Sequence, residues 1–503
     1  LYYPLNVIFF ASIPLLAAIW YFGTELRASG TSERARAAVI SFFIFAASLA
    51  ATAAVASGHH LAPDTAFLSA SIRSFYSPTP RDLHTPDRAP LAGPTDPKPD
   101  PPNIVLVINE SLGVQEIDFS GRRTDQMPRL QQWIRREPSD FVAFQRAYAN
   151  STSTDLSVPS MLTGVGPYES TETLHQMPLA WDWARAGGLD PFYISAQNYS
   201  STSFHEFFFS DDPMPVRTPT TIEGMGEGDF RADELVIAEH FGRQLAEVPD
   251  DRPFFAVYNS NCMHKPFQQT SRLLEEQPDK KTPYRNAMVI LDEAVGRIVE
   301  SVRRQGRLDE TIFIFTSDHG EYPTRIHDIP RILSLYEEFT RVPMLVRVPS
   351  SWATSHPQKL RALRDNRRRN VANVDVVPSI VELLGLDQRA DARRLRDRLD
   401  GYSIFSPVPV DRTIIALNNN PVRHWEHKGF GIFWRDWRFV FTNVQGPKLF
   451  DVQEDPRQLD NRWPKTPPTA RHHVGQTIEG NPFLSRIWRE YNRPKPRLFA
   501  TQP

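Results

Sequence analysis

Two long apolar runs open the chain, LNVIFFASIPLLAAIWYFG from Leu5 to Gly23 and AAVISFFIFAASLAATAAVASG from Ala37 to Gly58, and neither contains a charge. As helices, each is long enough to cross a hydrocarbon layer of about 30 Å, so two transmembrane helices are predicted. The polar turn between them carries Arg27, Arg34 and Arg36. Because Lys and Arg set orientation, this turn is expected on the cytoplasmic side, with the second helix leading outward. A cleaved leader is the competing reading, since Arg34 and Arg36 precede an apolar stretch ending in the small residues Ala54, Ala56 and Ser57. The earlier apolar run argues against it. The chain starts at Leu1 rather than at a methionine, so residues 1–58 are expected to be the end of a larger membrane module.

From His59 to Pro102 proline recurs ten times, which a long helix or a central strand does not tolerate. Residues 59–102 therefore read as a linker, within which Leu61 to Tyr76 has the apolar stripe of a short interfacial helix, Phe67, Leu68, Ile72 and Phe75. After Pro102 the pattern changes to short apolar runs, Ile104 to Ile108, Phe192 to Ile194, Phe254 to Tyr258, Thr311 to Thr316 and Met344 to Val348. Continuous runs of this length are the mark of strands buried on both faces. Helical spacing lies between them, as in Tyr284 to Arg304, where Met288, Leu291, Val295, Ile298 and Val302 share a face. Alternation of this kind predicts a doubly wound α/β domain with a largely parallel sheet over residues 103–463, including a smaller C-terminal α+β part. Residues 464–503 read as a Pro-rich extension with a short helix near Leu484 to Tyr491.

Composition narrows the chemistry. Lys plus Arg number 57 and Asp plus Glu 59, a net charge of -2 without the strongly basic field of a general nucleic-acid binder, so no nucleic-acid partner is expected. Mean hydropathy of -0.41 indicates that most of the chain is polar outside its apolar start. Cys262 is the single cysteine, which excludes intrachain disulfides and Cys-rich zinc sites; any metal must be held by oxygen and nitrogen.

In doubly wound sheets the chemistry gathers at the carboxyl ends of the strands. The first run leads into Asn109, Glu110 and Ser111, the fourth into Ser317, Asp318, His319, Gly320 and Glu321, and the third through Asn259 and Cys262 to His264. Carboxylates and imidazoles thus reach one sheet edge from three strands, a donor set for a hard or borderline divalent ion. The stretch NSTSTDLSVPSMLT, Asn150 to Thr163, places five hydroxyls within residues 151–157 before a helix start. One hydroxyl would suffice as an N-cap. A hydroxyl held at a helix N-terminus beside a metal is a candidate nucleophile, and the exposed N–H groups there suit a phosphate or sulfate oxygen.

These segments follow one another in the order NIVLVINES, FQRAYANSTSTDLSVPSMLTG, His264-Lys265-Pro266-Phe267, FTSDHGE, SLYEEFTRVPMLVRVP, NVDVVPSIVELLGL, Asp400-Gly401 and KLFDVQEDPRQLDN. From about Asn103 to Asn461 the chain resembles the sulfatase-like branch of the alkaline phosphatase superfamily, which includes sulfatases, lipid A phosphoethanolamine transferases, and lipoteichoic acid synthases and related phosphoglycerol transferases. Sulfatases of this branch carry a CxPSRxxLLTG-type segment whose cysteine becomes formylglycine. Counting back ten positions from Gly164 reaches Thr154, so threonine stands where a sulfatase has cysteine. Threonine there, with Asn109-Glu110 in place of paired aspartates and Ala196-Gln197-Asn198 in place of a GKWH element, resembles the transferases. Lipid A phosphoethanolamine transferases generally carry disulfides, so the lack of them moves the resemblance toward the phosphoglycerol transferases.

What the resemblance implies is a membrane-tethered, metal-dependent phosphotransferase. Glu110, Thr154, Asp318 and His319 would hold one divalent ion, zinc, manganese or magnesium, with a second ion possible; Thr154 would be the nucleophile and Ser157 the runner-up. His264 and His327 are the candidates for phosphate binding or acid–base work, and Lys265 and Arg331 for added positive charge. The donor would be a glycerophospholipid, the group moved phosphoglycerol or phosphoethanolamine, and the acceptor a glycan or glycolipid. The catalytic domain is expected on the extracytoplasmic, periplasmic side of the inner membrane. A hydrolase of phosphodiesters or sulfate esters, and a catalytically silent binding protein, are the alternatives.

Overall fold

The computed structural model describes residues 87–93, 101–114, 117, 127–199, 204–209, 214–222, 232–267, 283–321, 326–327, 329–418 and 428–492. The two apolar runs and the stretch Leu61 to Tyr76 lie outside these residues. Among the described residues no helix is long and apolar enough to cross a membrane.

The strands, in chain order, are β1 (Asn103–Asn109), β2 (Phe141–Ala143), β3 (Ala147–Tyr148), β4 (Asp190–Ser195), β5 (Val216–Arg217), β6 (Phe254–Asn259), β7 (Thr311–Ser317), β8 (Leu345–Arg347), β9 (Val371–Ala372), β10 (Thr413–Leu417), β11 (Gly429–Trp434), β12 (Trp437–Thr442) and β13 (Gly446–Asp451). Seven of them form one sheet in the order β2-β8-β7-β1-β6-β4-β5. The strands from β7 to β5 pair in parallel, whereas β8 runs antiparallel to both β7 and β2. The protein is thus a mixed α/β fold built on a large, mostly parallel sheet.

Every residue of β1, β6 and β7 is buried, because helices cover both faces of the sheet. Ile104, Leu106, Phe255, Ile312 and Ile314 pack on one side with Val158, Met161 and Leu162 of the helix Thr154–Thr163 and with Val377 and Ile380 of Val376–Leu383. Val105, Val107, Phe254, Ala256, Phe313 and Phe315 pack on the other, against Ile237 and Phe241 of Glu234–Ala246 and the Met288, Leu291, Val295, Ile298 and Val302 stripe of Pro283–Arg304. Each such aliphatic side chain contributes roughly 1.5–3 kcal/mol by leaving water, and together they fix the depth at which the strand ends stand.

The helix Thr154–Thr163 is buried from Ser157 to Thr163 and stops at Gly164, whose φ of +71° lets its N–H return to the Ser160 carbonyl at 2.9 Å. A Cβ there would also sit 2.9 Å from Leu399 and Val377, so the glycine is needed for packing as well as for the turn. Beyond the sheet, β10 to β13 form an antiparallel meander. The short helix expected near Leu484 to Tyr491 is present, as the second of two in residues 468–491. These residues form the helices Pro468–Gly480 and Pro482–Tyr491, whose Ala470, Val474, Ile478, Leu484 and Ile487 cover the meander residues Phe430, Ile432, Phe439 and Leu449. The opposite face of the meander packs on Tyr148, Leu335 and Val374.

Candidate metal centre and nucleophile

Because β1 and β7 are adjacent and parallel, with Asn109 in register with Ser317, the residues just after each strand are brought side by side. Glu110, Asp318 and His319 are all buried, and their ligand atoms lie within 4.8 Å of one another. His319 Nε2 stands 3.2 Å from Asp318 Oδ2 and 3.6 Å from Glu110 Oε1. Thr154 completes the group: its Oγ1 is 3.2 Å from Glu110 Oε1 and 3.1 Å from His319 Nε2.

The surrounding hydrogen bonds hold these atoms in a state that suits a cation. Asp318 Oδ1 accepts from the backbone N–H of Ser111 and of His319, at 2.9 and 2.8 Å, which leaves Oδ2 buried without a hydrogen-bond partner. An orphaned carboxylate oxygen costs several kcal/mol unless a charge meets it. His319 Nδ1 donates to the Gly320 carbonyl at 3.3 Å, which turns the lone pair of Nε2 toward the cluster. Glu110 is steadied by Ser111 Oγ at 2.9 Å and by Gln197 Nε2 at 2.5 Å. Burial and the neighbouring Glu110 push the Asp318 carboxyl up to about 7, while burial and Arg331 push the His319 imidazole down to about 3. Two acids, a neutral imidazole and a hydroxyl are the donor set of a hard or borderline divalent ion, and these residues fit one.

The hydroxyl-rich stretch is explained without capping. Ser153 occupies the N-cap position but makes no side-chain cap; Thr152 Oγ1 donates to the Ser334 carbonyl at 3.3 Å and Ser157 Oγ to the Asp318 carbonyl at 2.5 Å. Ser157 therefore positions the strand end, and Thr154 alone of the pair touches the ligand atoms.

Arg331 Nη1 donates to His319 Nε2 at 2.9 Å and also to the Thr152 carbonyl, and its Nε reaches Glu321 Oε2 at 3.2 Å. Lys265 Nζ meets the other oxygen of Glu321 at 2.6 Å. Two cations expected only as general positive charge are thus fixed to one buried acid beside the cluster. His264 follows β6 on the same edge; its Nδ1 donates to the Lys265 carbonyl at 2.8 Å, which makes Nε2 the basic nitrogen. His327 is not brought to the cluster. It stacks on Tyr336 at 3.7 Å, with Nδ1 on Glu338 at 2.7 Å and Nε2 on the Gln458 carbonyl at 3.0 Å, so both ring nitrogens are committed elsewhere.

Glu321, one of the strand-end carboxylates, and Gln197, noted only within Ala196-Gln197-Asn198, carry no assigned role in the sequence reading. Gln197 stands two residues after β4, so the strand-end argument applied to β1, β6 and β7 would have reached it. Glu321 closes the FTSDHGE segment and is tied to the residues just after β1 by a hydrogen bond from its N–H to the Ser111 carbonyl at 3.2 Å.

A family model described as Sulfatase matches residues 102–386. Choline-sulfatase from Rhizobium meliloti (strain 1021) is 24% identical over 226 residues, 44% of this chain and 40% of that protein. Arylsulfatase K from Bos taurus is 23% identical over 305 residues, 56% of this chain and 52% of that protein, so the chain spans about half the length of such curated relatives or less. The solved C-terminal periplasmic domain of EcEptC from Escherichia coli, in complex with Zn, has the same fold with a TM-score of 0.53 at 16% identity, covering 69% of this chain and 97% of that one.

Proposed function

The chain belongs to the sulfatase family, within the sulfatase-like branch of the alkaline phosphatase superfamily, and from this premise we propose that it is a metal-dependent phosphotransferase working through a phospho-threonine. The observation that carries this reading is the Thr154 hydroxyl, held within 3.2 Å of both Glu110 and His319 at the first turn of a buried helix. Glu110, Asp318, His319 and Thr154 Oγ1 would hold the ion. A divalent cation bound there supplies positive charge that favours the threonine alkoxide and offsets charge on the phosphoryl oxygens.

The chain's own groups do the rest. Thr154 Oγ1 attacks the phosphorus of a glycerophospholipid and loses its proton; the P–O bond to diacylglycerol breaks, and the departing oxygen takes a proton. The phosphoglycerol or phosphoethanolamine group is then an ester of Thr154. An acceptor hydroxyl, on a glycan or glycolipid, attacks the same phosphorus and gives up its proton, and Thr154 leaves with one. His264 Nε2 is the assigned site of proton exchange, and Arg331 and Lys265 orient the phosphoryl oxygens. His327, with both nitrogens engaged, steadies the segment before Arg331 instead. The Zn complex of the EcEptC domain and its periplasmic origin support a metal-bound, extracytoplasmic domain, which the two apolar runs at the start of the chain would tether beside its lipid donor.

The relatives' names favour a second reading, sulfate-ester hydrolysis. Against it, the one cysteine follows β6 rather than opening the helix, its Sγ faces the Ala287 carbonyl at 3.6 Å, and burial with Glu234 pushes its thiol up. Incubation with phosphatidylglycerol or phosphatidylethanolamine and a glycan acceptor separates the readings. Transfer to the glycan, lost in Thr154→Ala with metal content unchanged, supports the proposal; sulfate release from an aryl sulfate, retained in Thr154→Ala, overturns it.

A further inference from the structure

The outer edge of the seven-stranded sheet, at β2, two strands from β7, carries a cavity of about 770 Å³. Its floor is the edge strand β2, with Phe141, together with Ser139 before it and Gln145 after it, and its wall is the end of the helix Pro357–Asn366 and the turn after it, with Arg364, Arg367 and Arg368. All three arginines are exposed. Asp365 is the one acid in the lining, and it already has Arg361 at 3.9 Å; among the described residues Arg367 and Arg368 have no ion-pair partner.

A plain account would have these arginines complement the helix dipole or guard the sheet edge against another strand. The dipole reaches only the last turn, where Arg364 lies, and Arg368 stands beyond it. Guarding an edge requires charge but no cavity. Here wall and floor are joined at both ends, by Arg364 Nη2 on the Ser139 carbonyl at 3.0 Å and by the Gln145 N–H on the Arg367 carbonyl at 2.8 Å. The groove is therefore preformed, and its three guanidinium groups offer forked donors suited to sulfate or phosphate oxygens. Its concave form fits a chain-like anion better than a flat bilayer surface.

The groove also has a direction. Strand β2 and β7 are both antiparallel to β8, so the Gln145 end of the groove lies toward the end of the sheet where Asp318 and His319 stand. Two strand spacings, about 10 Å, separate the two strands. We propose that this groove binds an anionic oligosaccharide bearing sulfate or phosphate esters, and that such a glycan is the acceptor; only this last clause rests on the function proposed above.

The test uses the full chain in detergent micelles carrying Thr154→Ala, so that binding is read without turnover. The probe is a fluorescent sulfated hexasaccharide, with neutral dextran of the same length and phosphatidylglycerol vesicles as further arms. Expected are saturable binding of the sulfated hexasaccharide that weakens with salt, no binding of dextran, and a loss of at least about tenfold in affinity in Arg364→Ser/Arg367→Ser/Arg368→Ser. Because Arg364 holds Ser139, the exposed Arg367→Glu/Arg368→Glu pair is the second variant should the triple change fail to fold. Unchanged affinity in that folded variant, equal binding of dextran, or arginine-dependent binding of the vesicles without binding of the hexasaccharide overturns the proposal. Labelling of Thr154 by a lipid donor in the otherwise wild-type chain is scored separately, so either reading can fail alone.

Discussion

Thr154 and Ser157 stand one helical turn apart, yet only one hydroxyl is free to act as nucleophile in the proposed reaction. Ser157 Oγ is spent on the Asp318 carbonyl at 2.5 Å, next to Asn373 Nδ2 on the Ser317 carbonyl at 2.9 Å. Ser157→Ala should therefore keep the covalent phospho-threonine and slow turnover by about tenfold or less, the worth of one hydrogen bond of roughly 0.5–1.5 kcal/mol. Intact-mass measurement of the labelled protein and steady-state rates check this. In the sequence, Glu110, Asp318 and His319 are legible because they follow strands, whereas Thr154 is singled out among five hydroxyls only by the resemblance to the sulfatase segment ending at Gly164. His327 follows no strand, so only motif position recommended it, and its actual partners Glu338 and Gln458 are 11 and 131 residues away. Long-range pairing of that kind leaves no local pattern to read.

At the scale of elements, the loop after β6 depends on one buried acid. Glu234, at the start of Glu234–Ala246, accepts the hydroxyl of Tyr258 on one oxygen and the N–H groups of Asn261 and Cys262, both at 3.0 Å, on the other. This fixes the turn that presents His264 and Lys265. Burial pushes the Glu234 carboxyl above its ordinary value despite these donors. The folded protein then holds the Glu234 proton to higher pH than the unfolded chain, so the stability linked to it is present below the unfolded value and lost as pH rises through the raised one. Glu234→Gln removes that titration. Urea midpoints should fall with pH across this window in the wild type relative to Glu234→Gln, and a constant difference would contradict the assignment. The long strands β1, β6 and β7 were readable as continuous apolar runs. The direction of β8 was not, since an apolar run carries no sign, and β2, β3, β5 and β9, at two or three residues each, are too short to show a period.

For the whole molecule, the α/β body and the C-terminal meander are joined by a buried charge. Arg438 of β12 is fully buried and reaches Glu337 Oε1 at 2.7 Å and the Tyr148 hydroxyl, which itself donates to Glu337 at 2.9 Å. Burial raises the Glu337 carboxyl, but Arg438 and Arg341 more than offset this and leave it below its ordinary value. Arg438→Leu strands that acid and should cost about 3–5 kcal/mol, seen as a lowered urea midpoint. A smaller α+β part is expected here, but what it docks on is not legible in the sequence, because Tyr148 and Arg438 are 290 residues apart. The lone Cys262 has the widest consequence: buried at a strand end, it does not stand at the start of the helix Thr154–Thr163, where Thr154 is the proposed nucleophile. The direct test is mass spectrometry of the Thr154 peptide after incubation of the metal-loaded protein with phosphatidylglycerol and, separately, phosphatidylethanolamine. A phosphoglycerol or phosphoethanolamine mass is expected on Thr154 and none in Thr154→Ala; active protein with that peptide unmodified under rapid quench, or with the adduct on Ser157, overturns the phospho-threonine proposal.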